Sequence, residues 1–241
     1  MPPRLEHGHQ PAEIAKRLSA GPRVSYLRDW VYGGIDGTVT TFAIMAGVVG
    51  ASLSPTVVII LGVANLLADG FSMAAGNYTG TRAERDEYDQ LRHMEERHIK
   101  LAPEGEREEI RQIFKAKGFE GEALEAAVKI ITERPKRWID TMMREEHGMP
   151  AVTRSPLRAA LYTFLAFVLC GSVPLIPYAL RLPEPELPST IMTGLTFFVI
   201  GSLRSRWSPT PWWRAGLETL AIGLLAAGVA YLIGGMLKGF M

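Results

Sequence analysis

The chain has 241 residues, with 26 lysines and arginines against 25 acids, a formal net charge of +1 and a mean hydropathy of +0.09. A near-neutral balance, with no basic patch interleaved with aromatics, gives nucleic-acid binding no footing. The single cysteine, Cys170, lies in an apolar run, which excludes an intrachain disulfide and a cysteine-based metal site.

These averages conceal two segregated kinds of sequence. Residues 82–149 hold most of the acids and about half of the bases, whereas the stretches on either side are nearly uncharged. Apolar runs of about 20 residues are long enough to cross a hydrocarbon core of roughly 30 Å. The sequence therefore predicts an all-α, polytopic membrane protein. It has five transmembrane helices and a three-helix cytosolic insert between the second and third. Residues 1–29 read as a cytosolic tail with a short amphipathic helix, 30–80 as the first two spans, 81–150 as the insert and 156–241 as the last three spans. The polar N-terminus lacks the apolar core of a signal peptide, so none is expected.

The first span, about 30–52, carries one acid, Asp36, in GGIDGTVTT. Pro55 suits the start of the second span, about 56–78, because a proline there gives up an N–H that has no partner anyway. That span's single charge is Asp69. Nothing breaks the helix after Tyr78, so it should continue into polar sequence, with three polar helices at about 80–101, 104–117 and 121–147. Pro135 should kink the last of these. In the third span, about 157–180, Pro174 and Pro177 should bend or break the helix. The fourth, about 189–203, is short, and the fifth, about 215–237, carries Glu218 near its start. Arg23, Arg28, Arg82, Arg85, Arg154, Arg158, Arg204, Arg206 and Arg214 flank one side of this arrangement. Cytosolic placement of the tail, the insert and the 204–214 loop thus satisfies the positive-inside rule.

Carboxylates inside spans are costly, at least ~2.5–3.5 kcal/mol near the bilayer centre, and are usually kept for an ion or proton path. Asp36 and Asp69 are the path candidates. Met73 lies four residues beyond Asp69 on the same helix face, and Asn65 and Asn77 continue that stripe. Carboxylate, thioether and amide together suit a borderline divalent ion such as Fe²⁺. Glu218 is as readily interfacial. In the insert, Glu95 and His98 form Glu-x-x-His, and Glu106 and Glu109 form Glu-x-x-Glu. Residues at that spacing share a helix side, so each pair could hold a metal. Met142, Met143 and Glu146 add sulfur and carboxylate near the end of the third polar helix. The competing reading of each pair is a solvated, charge-rich helix face.

Three segments, GGIDGTVTTFAIMAGV, DGFSMAAGNY and WWRAGLETLAIGLLAAGVAYLIG, together with the long polar insert, resemble the vacuolar iron transporter family over nearly the whole chain. The resemblance implies a homodimer in a lipid membrane that moves Fe²⁺, and often Mn²⁺, out of the cytosol in exchange for protons. The ion is then substrate and bound ligand (Zn²⁺ and Co²⁺ also fit the donors), with no prosthetic group and no enzyme activity. It assigns the transport path to Asp36 and Met73. It assigns cytosolic metal binding to Glu95, Glu106, Glu109, Met142, Met143 and Glu146, with His98 standing where the pattern has a glutamate. Asn77 in GNY and Asn65 also replace expected acids. Two rivals remain open. A membrane-anchored metal sensor or store would bind metal in the insert without flux. A di-iron oxidase would need a second Glu-x-x-His, which residues 82–149 lack. No Walker-type glycine loop supports transport driven by ATP.

Overall fold

The computed structural model describes residues 8–21, 24–149 and 154–238, and among these it is helical, without strands. Arg23, one of the flanking cations, lies outside the described residues. The helices are α1 Pro11–Ala20, α2 Leu27–Gly50, α3 Pro55–Leu101, α4 Pro103–Ala116, α5 Gly121–Thr132, α6 Pro135–Glu145, α7 Pro156–Gly171, α8 Ile176–Ala179, α9 Glu186–Arg204 and α10 Trp212–Lys238. Among the described residues, five stretches are long and apolar enough to cross a membrane: Leu27–Gly50, Pro55–Leu101, Pro156–Ala179, Glu186–Trp207 and Trp212–Lys238. The chain forms two compact units, 1–24 with 83–154 and 25–82 with 155–241, and α3 contributes to both.

The second unit is turned inside out relative to a water-soluble bundle. Large apolar side chains such as Phe71, Leu169, Leu195 and Leu225 are exposed, while Thr38, Thr41, Thr163 and Thr193 are fully buried. Lipid exerts no hydrophobic drive between helices, so close packing and hydrogen bonds must hold them together. The glycines of α2 provide the close packing. A Cβ on Gly37 would strike the backbone carbonyl of Phe167 on α7, and one on Gly234 of α10 would strike that of Gly47 on α2. Phe42, Met45, Phe167 and Phe197 fill the centre, with Phe42 and Phe197 edge to face at 6.3 Å.

Two of these hydroxyls donate back into their own turns, Thr38 Oγ1 to Gly34 O at 2.7 Å and Thr163 Oγ1 to Ala159 O at 3.0 Å, whereas Thr41 Oγ1 and Thr193 Oγ1 have no partner among the described residues. For Thr38 and Thr163 this answers the requirement that polar groups be satisfied away from water. The expected proline disruption in the third span is a break: α7 stops at Gly171, and a 3₁₀ turn, Val173–Leu175, leads into α8. Ser189 Oγ of α9 donates to the Pro174 carbonyl at 2.7 Å. The fourth span proves longer than its apolar run, because Glu186 to Pro188 lie within α9.

Two contacts fix which ends of the second unit adjoin. Tyr26 Oη accepts from the Ser155 N–H at 2.9 Å, joining the starts of α2 and α7. Lys238 Nζ meets Ser52 Oγ at 2.8 Å, bringing the end of α10 to the α2–α3 turn. Glu218 is exposed and paired with Arg204, which suits its interfacial reading.

In the first unit, the predicted third polar helix is two helices, α5 and α6. Proline at position 135 begins α6 rather than kinking a continuous helix. Its missing N–H is harmless in a first turn but would break the ladder in mid-helix. The core is Ile110, Leu124, Val128, Trp138 and Met142, with Arg107 stacked over Trp138 at 5.6 Å.

Candidate metal centre

The α3 face that enters the first unit is an apolar stripe interrupted by one acid. Tyr88, Leu91 and Ile99 pack into its apolar clusters, and Glu95 occupies the same three-to-four-residue spacing between them. The stripe carries Glu95 inward, leaving its side chain 2% exposed. The same rule acts on α4, where Ile110 is fully buried and Glu106, one turn earlier, is drawn in with it. Ala102 and Pro103 end α3 and start α4, so the two acids converge on one region.

On α6, Met142 and Met143 face inward, and Glu146 follows three to four residues on. The chain then turns at Gly148, whose φ of +66° is left-handed and favours glycine. That turn directs His147, which no sequence pattern singled out, back onto the cluster. His147 Nε2 lies 3.0 Å from Glu95 Oε1 and 3.9 Å from Glu146 Oε2. One ligand atom from each of Glu95, Glu146 and His147 falls within 4.8 Å of the others. His98 Nδ1 lies 3.4 Å from Glu106 Oε1. Salt bridges brace the frame: Arg92 with Asp140 at 3.2 Å, and Lys117 with Glu145 at 2.6 Å.

The electrostatics show a concentration of negative charge. Burial, followed by the charges of Glu109, Glu95 and Glu146, pushes the Glu106 carboxyl up to about 7 from its usual 4.5. Glu146 is also pushed up, chiefly by burial, with His147 pulling the other way and Glu109 and Glu95 adding to the rise. Glu95 Oε2 and Glu106 Oε2 are buried without a hydrogen-bond partner. A buried carboxylate oxygen left in that condition is expensive unless a cation or proton accompanies it.

Glu95 and Glu146 are therefore brought together, with His147 added and His98 beside Glu106, whereas Glu109 is exposed on α4. Met142 and Met143 are core residues here, Met142 against Ile110 and Trp138 and Met143 against Tyr88 and Ile139. The solvated reading holds elsewhere on the same helices. Glu108 pairs with Arg111, which also grips Glu125 at 2.9 Å, and both acids are held below the usual carboxylate range by that arginine.

The intramembrane candidates divide. Asn77 Nδ2 donates to Asp29 Oδ1 at 2.9 Å and Thr163 Oγ1 at 2.7 Å, with the Ala159 carbonyl at 3.3 Å, so it clips α3 to α2 and α7. Asp29, a buried acid in the first turn of α2, lay outside the predicted first span. Asn65 Nδ2 donates to Thr40 Oγ1 at 3.1 Å. Met73 is half-buried against the aromatic core, and Asp36 is also half-buried. Asp69 is exposed on the outer face of α3.

Comparison with known proteins completes the picture. The model of the VIT family matches residues 27–235. Vacuolar iron transporter 1 of Arabidopsis thaliana is 31% identical over 220 residues, covering 90% of this chain and 86% of that protein. The vacuolar iron transporter of Centaurea cyanus is 31% identical over 218 residues, covering 88% and 87%. That of Plasmodium falciparum is 30% identical over 224 residues, covering 88% and 82%.

Proposed function

The chain belongs to the VIT family, and from that premise we propose that this membrane protein exports divalent metal, Fe²⁺ first and Mn²⁺ second, from the cytosol by proton antiport. The observation that carries the reading is the pair of carboxylates, Asp36 and Asp69, on adjoining membrane-length helices. Acids placed there at a cost of several kcal/mol are poorly explained by anchoring alone.

Asp36 and Met73 bind the dehydrating ion, and Asp69 assists or relays protons. A carboxylate must be deprotonated to hold metal, so proton and ion compete for one site, and protonation from an acidic far side ejects the ion. Asn65 and Asn77 shape the path indirectly, through their bonds to Thr40, Asp29 and Thr163.

The segment 83–149 collects metal on the cytosolic side with Glu95, His98, Glu106, Glu109 and Glu146. Met142 and Met143, buried in the same segment, add thioether sulfur to that donor set. The flanking arginines support this topology. The outward position of Asp69 supports a homodimer, because a second copy can cover a carboxylate that would otherwise face hydrocarbon.

The direct experiment is anaerobic Fe²⁺ uptake into proteoliposomes with an acidic lumen, comparing wild type with Asp36→Ala. Uptake by wild type alone supports the path through Asp36; equal uptake by the variant overturns it. A membrane-anchored sensor or store is the second reading, favoured by the self-contained packing of the acidic cluster within one unit. It predicts Fe²⁺ binding by the wild type without entry into the lumen.

A further inference from the structure

We propose that His147 is a metal ligand and that its imidazole biases the cytosolic cluster toward borderline ions such as Co²⁺ and Zn²⁺ over Mn²⁺. This rests on reading residues 83–149 as a metal-collecting segment. Three observations carry it. The His147 side chain is 15% exposed and its Nε2 points at two carboxylates, 3.0 Å from Glu95 Oε1 and 3.9 Å from Glu146 Oε2. The second oxygen of Glu95, with its side chain 2% exposed, has no hydrogen-bond partner, and neither does Glu106 Oε2. A purely structural histidine satisfies Glu95 Oε1 and leaves the other oxygen of Glu95 to a proton on Glu106 or to a cation. An ion held by one ligand atom each from Glu95, Glu146 and His147, which fall within 4.8 Å of one another, places a cation beside the Glu95 carboxylate.

The third observation is local. His147 follows the last turn of α6, and its N–H donates to the Met142 carbonyl at 3.3 Å, while Gly148 takes the left-handed turn. The backbone is thus tied down immediately before and after the imidazole. A ligand fixed in that way loses little freedom when it binds. Its donor type sets the preference. Imidazole nitrogen suits Zn²⁺, Co²⁺ and Ni²⁺, whereas Mn²⁺ favours an all-oxygen shell. His98, 3.4 Å from Glu106, supplies a second nitrogen at another edge of the cluster.

The test uses the full chain in detergent, titrated separately with Co²⁺ and Mn²⁺ against a competing chelator, with X-ray absorption of the Co²⁺-loaded protein. His147→Gln keeps a nitrogen able to reach Glu95. Its expected effect is a loss of Co²⁺ affinity of about tenfold or more, with Mn²⁺ affinity changed by less than about threefold. The imidazole scattering should fall by one ligand. His93→Gln, an exposed histidine paired with Glu96 outside the cluster, should change neither ion.

Equal losses for both ions would assign His147 to positioning Glu95 and overturn the proposal. Unchanged Co²⁺ affinity with full imidazole scattering would also overturn it. Glu106→Gln separates the underlying reading. If it leaves both ions unaffected, the segment is not the collecting site and both conclusions fall. If it weakens both while His147→Gln does not alter their ratio, only the role of His147 fails.

Discussion

Glu106→Gln should make the metal-free protein more stable at alkaline pH while weakening its hold on metal. The carboxyl of Glu106 is 5% exposed and its pKa is pushed up to about 7 from 4.5, by burial first and then by Glu109, Glu95 and Glu146. An acid whose folded pKa is raised contributes stability that is fully present below about pH 4.5 and is lost as pH rises through about 7. Between about pH 5.5 and about pH 8, that one group should raise the local opening equilibrium roughly 25-fold, or about 2 kcal/mol.

Glutamine is neutral throughout and removes this dependence. Hydrogen exchange of the α4 amides, corrected for the intrinsic rate and measured after chelation, reads it directly. Wild-type protection should fall over that interval, and the variant's fall should lack that factor of roughly 25. Saturating Mn²⁺ should restore wild-type protection at about pH 8, because the ion takes the place of the proton. An identical slope in wild type and variant would refute the argument, since Glu106 would then not be titrating in the folded cluster.

Three further outcomes follow from the packing. Gly37→Leu should abolish assembly of α2 against α7, seen as loss of a monodisperse detergent-solubilised protein, because its side chain would meet the Phe167 backbone. Asn77→Ala should cost about 1–3 kcal/mol by leaving the buried Asp29 and Thr163 without that donor, measurable as a lowered unfolding midpoint in detergent. Asp140→Asn should loosen α6 from α3 by breaking the Arg92 pair, weakening metal binding about threefold or less, because the pair is partly exposed. Chelator competition checks the last of these.

The five membrane-length helices were legible because each depends on local composition. Their small-residue contacts were not, since the partner of Gly37 or Gly234 is set by tertiary packing. Glu95 and Glu106 carried a readable signal: each interrupts an apolar stripe, with Tyr88, Leu91 and Ile99 on α3 and with Ile110 on α4. That pattern distinguishes them from Glu108 and Glu125, which lie on the solvated face and pair with Arg111. His147 was hidden because a turn, rather than helical spacing, aims it. Asn77 fell on the stripe with Asp69 and Met73, yet the α7 contacts that make it a clip come from 82 and 86 residues away. The break at Pro135 was anticipated as a kink, because the sequence alone does not show that α5 has already ended at Thr132.

The most direct test of the central claim is simultaneous measurement of Fe²⁺ entry and lumenal pH in proteoliposomes loaded with acid. The account predicts that Fe²⁺ enters, that the lumen becomes more alkaline in step, and that collapsing the proton gradient stops both. Fe²⁺ held by the protein with no entry, or entry that continues unchanged without a gradient, would contradict it.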